Sequence, residues 1–157
     1  MGEHARILVI DDDESIRKTL ATILEEKGYS VDTAENGKEA IKKSKDKFYN
    51  LALIDIRLPD MEGTKLLTAM KNNTPKMIKV IVTGHPSLQN AIEAVNKGAD
   101  AYIIKPFNVD AVLNTIREHL EKQKEAKKYS EEKVAEFIEA RVKELEEEKL
   151  LIHKKAN

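Results

Sequence analysis

The feature that most limits the fold of this chain is a regular alternation of short apolar runs with amphipathic segments. Each run is followed by a segment whose apolar residues recur at helical spacing. Strands that alternate with helices in this way form a parallel sheet with helices on both faces, and right-handed crossovers limit its topology. The pattern predicts a doubly wound (βα)5 α/β fold. The predicted strands are Arg6–Ile10, Tyr29–Ala34, Leu51–Asp55, Lys79–Thr83 and Ala101–Ile104, and the predicted helices are Ser15–Lys27, Lys38–Phe48, Gly63–Asn73, Leu88–Lys97 and one from about Val109.

Composition excludes several classes of protein. The length of 157 residues suits one domain with an appendage. A net charge of −1 gives no strong field towards nucleic acid or a membrane surface. Cysteine is absent, which excludes disulfides, thiol catalysis and Cys-zinc sites. No apolar run approaches the ~18 residues of a membrane-spanning helix. We therefore expect a soluble, cytoplasmic protein without a membrane partner.

Polar residues follow the predicted strands where each strand ends. Asp11 and Asp12 come after the first strand, and Asp55 ends the third. Thr83 ends the fourth strand and Lys105 follows the fifth. The carboxyl ends of parallel strands share one edge of the sheet, where ligands bind in folds of this kind. Three carboxylates that converge there would repel one another, so the sequence predicts a divalent cation, and Mg²⁺ prefers such oxygen ligands.

The same residues indicate phosphoryl chemistry. A carboxylate can accept a phosphoryl group as an acyl phosphate, which makes Asp55 the candidate nucleophile. Lys105 supplies a fixed positive charge for a phosphoryl oxygen, and Thr83 supplies a hydroxyl. Neither Gly-x-x-x-x-Gly-Lys nor Gly-x-Gly-x-x-Gly occurs, so no nucleotide-binding loop is expected. The phosphoryl group is therefore expected to come from another donor.

These motifs resemble the receiver domain of two-component response regulators. The matching stretches are ILVIDDDES, LALIDIRLPDMEG, VIVTGH and AYIIKPF, which occur in this order within about residues 5–121. The resemblance implies a five-stranded parallel sheet in the order 2-1-3-4-5, with Mg²⁺ as cofactor. It also implies a histidine kinase as phosphodonor, a downstream protein as target, and a signalling role rather than an enzymatic one.

The resemblance assigns the chemistry of the site to particular residues. Asp55 resembles the phosphorylated aspartate. Asp12 is implied to be the more direct Mg²⁺ ligand, with Asp11 acting largely through water and the backbone carbonyl of Arg57 as a further ligand. Lys105 is implied to pair with Asp55 before phosphorylation and with the phosphoryl group afterwards.

A second group of residues resembles the switch of the family. Thr83 is implied to be the hydroxyl that moves to bond the phosphoryl group, and Tyr102 the aromatic residue that then turns inward. Gly84 is implied to keep the position beside Thr83 small, as access to the aspartate requires. The Lys105–Pro106 bond resembles one that is cis in the family, and a cis X-Pro bond marks a specified turn.

Simpler roles stay open for several of these positions. Asp13 lies outside the matching acidic pair and is expected to cap the first helix. Ordinary core packing is the alternative for Tyr102. Arg57 and His85 occupy positions that flank the phosphoryl group and tune its lifetime in the family, and the alternative is that they are solvated loop residues.

Two other functions are alternatives to the interpretation as a receiver domain. A Mg²⁺-dependent phosphohydrolase with an aspartyl-phosphate intermediate usually has a second carboxylate two residues after its nucleophile, and here that position is Arg57. A receiver-like scaffold that is never phosphorylated would be expected to show a defect in the set of site residues, and the sequence contains none. Turnover of a small phosphomonoester would favour the first, and inertness towards acetyl phosphate with Mg²⁺ the second.

The chain beyond about Leu120 lies outside the resemblance. We expect a receiver domain over residues 1–122 and a helical, amphipathic extension over residues 123–157. Ser130 precedes two glutamates and is expected to cap a helix that ends near His153, which makes 127–130 a break or a weak point in one long helix. The apolar residues of this helix form one stripe: Val134, Phe137, Ile138, Val142, Leu145 and Ile152.

Three interpretations of the extension remain open. It pairs with its copy in a homodimer, it folds back onto the receiver, or it is a linker to an output domain that was removed or never existed. From Glu121 onward the chain has ten Lys plus Arg and ten Glu, so it has no basic stripe. Direct DNA binding is therefore not expected, and regulation is expected to act through protein–protein contact.

Overall fold

The structure, a computed structural model, describes residues 4–70, 73 and 75–156. The strands form one sheet in which every neighbouring pair is parallel, in the order β2-β1-β3-β4-β5. This arrangement confirms the predicted fold class and strand order. The strands are β1 (Arg6–Ile10), β2 (Ser30–Ala34), β3 (Leu51–Ile54), β4 (Ile78–Thr83) and β5 (Ala101–Ile104).

The helices begin and end at residues suited to those positions. Asp13, Asn36 and Ser87 each accept a hydrogen bond from a backbone N–H three residues on, which caps three helices. Gly28 and Gly98 have φ values of +93° and +96° just beyond helix ends, a conformation that glycine adopts without strain. Within the described residues no helix is both long and apolar enough to cross a membrane. The helices are α1 (Glu14–Glu26), α2 (Gly37–Asp46), α3 (Leu66–Ala69), α4 (Leu88–Asn96) and α5 (Val109–Ala156), with a 3-10 turn at Gly63–Lys65.

The sheet separates two apolar clusters. Successive side chains of β1 point to opposite faces, so Leu8 and Ile10 pack in one cluster while Ile7 and Val9 pack in the other. The first cluster includes residues of α2, α3 and α4, and the second includes residues of α1 and α5. Both faces of the central strands are therefore buried, as a doubly wound sheet requires.

The helix predicted over Gly63–Asn73 is shorter in the structure. After the 3-10 turn, α3 ends at Ala69, and Met70 is extended with ψ 143°. The carbonyl of Leu67 accepts a hydrogen bond from the buried ammonium group of Lys79 at 2.5 Å, which satisfies a carbonyl of the last turn. Residues 71 and 72 of the predicted helix lie outside the described residues. The boundaries of the other elements within the receiver unit differ from prediction by at most two residues.

Helix α5 is continuous from Val109 to Ala156, so a break at residues 127–130 is wrong and the alternative of one long helix is confirmed. Ser130 lies inside α5 rather than at a cap. Neighbouring Lys, Ala and Glu are strong helix formers, and an interior serine costs only a few tenths of a kcal/mol relative to alanine, so residues 127–130 stay helical. Contacts divide the chain into a unit that ends at Glu121 and one that begins at Lys122, and the functional boundary near residue 122 stays a prediction.

Strand β2 is an open edge of the sheet, and a lysine lies over part of it. The N–H of Asp11 donates to the carbonyl of Ala34, so the carbonyl of Thr33 points the opposite way, towards the open edge. That carbonyl accepts a hydrogen bond from the ammonium group of Lys43, which also pairs with Glu39 at 3.0 Å. One outward-facing acceptor of the edge is therefore occupied.

Candidate functional site

The carboxyl ends of β1 and β3 bring the three predicted acidic residues together. Asp11, Asp12 and Asp55 each offer a carboxylate oxygen, and these oxygens lie within 4.8 Å of one another. Asp11 and Asp55 are 3% and 6% exposed, whereas Asp12 faces solvent. The N–H of Asp55 donates to the carbonyl of Ile10 at 3.0 Å, which ties the two strand ends together. A cation that bridged the carboxylates would relieve their mutual repulsion.

Lys105 follows β5 and reaches across the edge of the sheet to two of these carboxylates. Its ammonium group lies 3.3 Å from Oδ2 of Asp55, and 2.6 Å from Oδ2 of Asp11. The predicted contact with Asp55 is therefore present, but the shorter contact is with Asp11. Its backbone N–H donates to the carbonyl of Thr83 at 2.8 Å, which fixes the lysine beside the end of β4.

The two members of the Lys105–Asp55 contact respond differently to burial. Burial by itself would lower the pKa of Lys105, but the hydrogen bond and negative charge of Asp11, together with Asp55, outweigh burial and raise that pKa. Burial raises the pKa of Asp55; the charge of Lys105 opposes this increase and the charge of Asp11 adds to it. Because Lys105 is closer to Asp11, Asp55 is left incompletely neutralised and would gain from a bound cation.

The donor set fits Mg²⁺. All three side chains offer carboxylate oxygens, which Mg²⁺ prefers over nitrogen or sulfur. Asp12 is exposed, so a cation there would keep water ligands, as Mg²⁺ usually does. Asp13, in contrast, caps α1 by accepting a hydrogen bond from the N–H of Ile16 at 3.1 Å, the role expected for it.

Thr83 is fully buried at the end of β4. Ile54 pairs with Ile81 across the sheet, so Thr83 lies one residue further along its strand than the position level with Asp55. Its hydroxyl oxygen accepts a hydrogen bond from the N–H of His85 at 3.0 Å. An oxygen that accepts in this way keeps its own proton as a donor for a neighbouring anion.

The remaining predicted residues surround this group. Tyr102 packs against the first apolar cluster, and its hydroxyl is buried without a hydrogen-bond partner among the described residues. Arg57 and His85 are exposed. A Cβ at Gly84 would lie 3.8 Å from the side chain of Lys105, an ordinary contact, so packing alone does not require glycine there. The Lys105–Pro106 bond is cis, as predicted. The switch and tuning roles of these residues stay predictions.

The roles of two further residues of the site could not be predicted from the sequence. A Cβ at Gly63 would lie 1.9 Å from the backbone oxygen of Asp55, so only glycine allows the chain to pass so close to the acceptor. In the sequence, Gly63 is only the first residue of a predicted helix, which gives no reason for a glycine at this position. Arg17 donates to the backbone carbonyl of Asp11 at 2.6 Å, which orients the peptide before Asp12. A basic residue six positions after an aspartate gives no periodic signal.

Comparisons with known proteins agree with this geometry. A family model described as the response regulator receiver domain matches residues 7–117. The transcriptional regulatory protein ZraR of Klebsiella oxytoca is 39% identical over 119 residues, which are 76% of this chain and 27% of ZraR. The chain thus spans about a quarter of the length of the curated relatives that it matches.

Two solved structures share the fold. A CheY-like response regulator receiver domain protein from Methanospirillum hungatei JF-1 is 46% identical, with a TM-score of 0.75 over 79% of this chain and 99% of that one. A response regulator protein from Burkholderia pseudomallei is 34% identical, with a TM-score of 0.63 over 69% of this chain and 64% of that one. The latter contains a phosphorylated aspartic acid, a calcium ion and citrate.

Proposed function

The chain belongs to the response regulator receiver domain family, and we propose that it accepts a phosphoryl group from a histidine kinase on Asp55, with Mg²⁺ as cofactor. One observation carries the proposal: the oxygens of Asp11, Asp12 and Asp55 lie within 4.8 Å of one another. The ammonium group of Lys105 forms hydrogen bonds with two of the three carboxylates. The site thus combines a nucleophile, an oxygen-ligand set and a fixed cation.

These positions support the following mechanism. An oxygen of Asp55 attacks the phosphorus of a phosphohistidine in line; the O–P bond forms as the N–P bond breaks, and the leaving imidazole takes a proton from solvent. Lys105 stabilises the charge on the phosphoryl oxygens. Asp12 and Asp55, with water on Asp11 and the carbonyl of Arg57, would hold Mg²⁺. When bound, Mg²⁺ supplies further positive charge at the phosphoryl oxygens.

Phosphorylation changes the conformation of a neighbouring surface. The hydroxyl of Thr83 donates to a phosphoryl oxygen, and the ring of Tyr102 follows into the space that Thr83 leaves. The surface of α4, β5 and the start of α5 then changes population between two arrangements and binds a downstream protein. That surface already exposes apolar side chains, as a protein-binding surface does: Leu88, Ile92, Val95, Ile104 and Val109.

The extension is proposed to pair with its copy in a homodimer. Its apolar stripe is exposed along its length, for example at Phe137, Val142 and Leu145. Pairing of two copies would cover such a stripe without a further protein. Folding back and linkage to an output domain are the competing arrangements. The chain is proposed to act in the cytoplasm, without membrane contact, direct DNA binding or turnover as an enzyme.

Phosphorylation of the purified chain by acetyl phosphate with Mg²⁺ tests the proposal. We expect one phosphoryl group per chain by intact-mass spectrometry, and complete loss of incorporation in Asp55→Asn. Asp13→Asn is the matched control, because asparagine caps a helix as well as aspartate does; we expect wild-type incorporation. If the wild type does not react with acetyl phosphate, the chain is a receiver-like scaffold that is never phosphorylated. If it turns over a small phosphomonoester, it is a phosphohydrolase.

A further inference from the structure

The tip of the loop between β3 and the 3-10 turn is hydrogen-bonded to the start of α2. The carboxylate of Asp60 accepts hydrogen bonds from the backbone N–H groups of Gly37 at 2.8 Å and Lys38 at 2.9 Å. Gly37 and Lys38 are the first two residues of α2. The N–H of the third residue, Glu39, donates to the side chain of Asn36. The first turn of α2 is therefore satisfied by two side chains, one of them from a distant loop.

This loop is a small hairpin with its own backbone bonds. Arg57 and Glu62 form an antiparallel bridge, and the N–H of Leu58 donates to the carbonyl of Met61 at 3.3 Å. The N–H of Gly63 donates to the carbonyl of Ile56 at 2.5 Å and closes the base. These hydrogen bonds connect the tip of the hairpin to its base, so a change in the position of the tip is expected to move the base.

The base of the hairpin is part of the phosphoacceptor site. Gly63 passes against the backbone of Asp55, where a Cβ would lie 1.9 Å from the carbonyl oxygen. Arg57, whose carbonyl is the proposed Mg²⁺ ligand, lies two residues beyond the acceptor, and its N–H donates to Oδ1 of Asp55 at 3.4 Å. A few backbone hydrogen bonds thus join the tip of the hairpin to the proposed metal site.

A second contact fixes the same tip. A Cβ at Gly37 would lie 2.4 Å from the sulfur of Met61, so this side chain covers the start of α2 where glycine leaves room for it. The two backbone N–H groups hold the pKa of Asp60 below its usual range, so its carboxylate stays ionised at neutral pH and its hydrogen bonds are charge-assisted. The tip of the hairpin is therefore held to α2 both by the hydrogen bonds of Asp60 and by the packing of Met61.

We propose that Asp60 is a positioning residue for the Mg²⁺ site, since it fixes the hairpin whose base carries Arg57 and Asp55. This inference rests on the proposed function. Residues that orient a metal ligand through hydrogen bonds typically change metal affinity by about 10- to 100-fold when removed. Because Asp60 acts through the hairpin, we place the expected loss at the lower end of that range.

Isothermal titration calorimetry of the full chain with Mg²⁺, without any phosphodonor, tests the inference. We expect Asp60→Ala to raise the dissociation constant for Mg²⁺ about tenfold. Asp60→Asn is expected to lie between Asp60→Ala and the wild type, because its amide oxygen accepts from the α2 start while its NH₂ cannot. The rate of phosphorylation by acetyl phosphate should approach that of the wild type at saturating Mg²⁺.

Glu62→Ala is the matched control. Glu62 is an exposed acid in the same hairpin, its side chain makes no capping hydrogen bond, and its bridge to Arg57 is formed by the backbone. We expect its dissociation constant for Mg²⁺ to stay within about twofold of the wild-type value, which is well below the roughly tenfold change expected for Asp60→Ala.

The outcomes separate the two proposals. If the wild type binds Mg²⁺ and Asp60→Ala binds it equally well, Asp60 has no positioning role. If Asp60→Ala fails to fold, Asp60→Asn decides, and unchanged affinity in that variant overturns the inference. If the wild type itself does not bind Mg²⁺, the proposed function fails instead.

Discussion

The unit that ends at Glu121 and the helical segment from Lys122 to Ala156 both carry apolar residues at regular spacing, but they bury them differently. Leu24 of α1 and Ile54 of β3 are 0% exposed, whereas Phe137 and Leu150 of the extension are 73% and 64% exposed. The first unit thus covers its apolar surface with its own elements. The extension, taken by itself, leaves its apolar surface to solvent.

The difference indicates that the two regions obtain stability from different sources. The extension has local support, such as the Lys133–Glu136 and Arg141–Glu144 pairs at 3.7 and 2.9 Å. Each such pair contributes only about 0.2–0.5 kcal/mol, and most helices in proteins are stabilised by packing of an apolar face. The first unit is therefore expected to be stable alone, and the extension to depend on a partner.

Truncation of one leucine to alanine in each region should show the largest difference in the free energy of unfolding. Leu24→Ala removes a fully buried side chain, and we expect the free energy of unfolding to fall by about 2–5 kcal/mol. Leu150→Ala, which lies off the apolar stripe of the extension, should change it by less than about 0.5 kcal/mol. Urea denaturation followed by circular dichroism measures both, and equal losses would contradict the comparison.

Removal of one leucine from the apolar stripe should have the next largest effect. Leu145→Gln would take a side chain out of both copies of the interface, about 3 kcal/mol per dimer, and weaken dimerisation roughly a hundredfold. Lys143→Gln, on the opposite side of the helix, is the control, because Lys, Leu and Gln have similar helix propensities. Sedimentation equilibrium measures both. A wild-type chain that stays monomeric would show that the stripe is covered in another way.

The smallest effect is expected from a charge at the edge of the sheet. Burial raises the pKa of Asp55 in the folded state, so the unfolded carboxyl loses its proton at lower pH and stability falls as pH rises through the interval between the two pKa values. Without metal, Asp55→Asn should therefore be more stable than the wild type at neutral pH and lose this advantage in acid. Glu139→Gln, which removes one exposed carboxylate of the extension, is the matched control.

Thermal denaturation across this pH range, with and without Mg²⁺, measures the effect. Added Mg²⁺ should stabilise the wild type, because a ligand that binds only the folded state raises its stability, and should do so much less in Asp55→Asn. An Asp55→Asn variant that was less stable than the wild type at neutral pH without Mg²⁺ would show that Lys105 already compensates the carboxylate fully.

Much of the fold was predictable because periodicity determines which residues are buried. Asp11, Asp55 and Lys105 could be placed together because parallel strands end at one edge, a rule that needs no knowledge of loops. The end of α3 could not be placed, because it involves Lys79, a charged residue whose burial depends on the carbonyl of Leu67. The continuity of α5 through Ser130 reflects neighbouring propensities that outweigh a local capping signal.

The contact of Asp60 with α2 could not be predicted for a different reason. It joins the tip of a hairpin to the start of α2 through backbone N–H groups that donate to a carboxylate, and every residue except proline offers such a donor. The close passage of Gly63 against Asp55 is similar, since any turn glycine gives the same sequence signal. Such contacts follow from tertiary structure alone.

The lysine that lies over the open edge of the sheet has a consequence for colloidal behaviour. An edge strand such as β2 can offer its outward-facing carbonyls to a strand from another molecule, the first step of edge-to-edge aggregation. Lys43 occupies the outward carbonyl of Thr33 and places a charge where an incoming strand would have to pair. Another strand could pair at this edge only after the charged ammonium group was displaced, so Lys43 is expected to act as a gatekeeper residue against self-assembly.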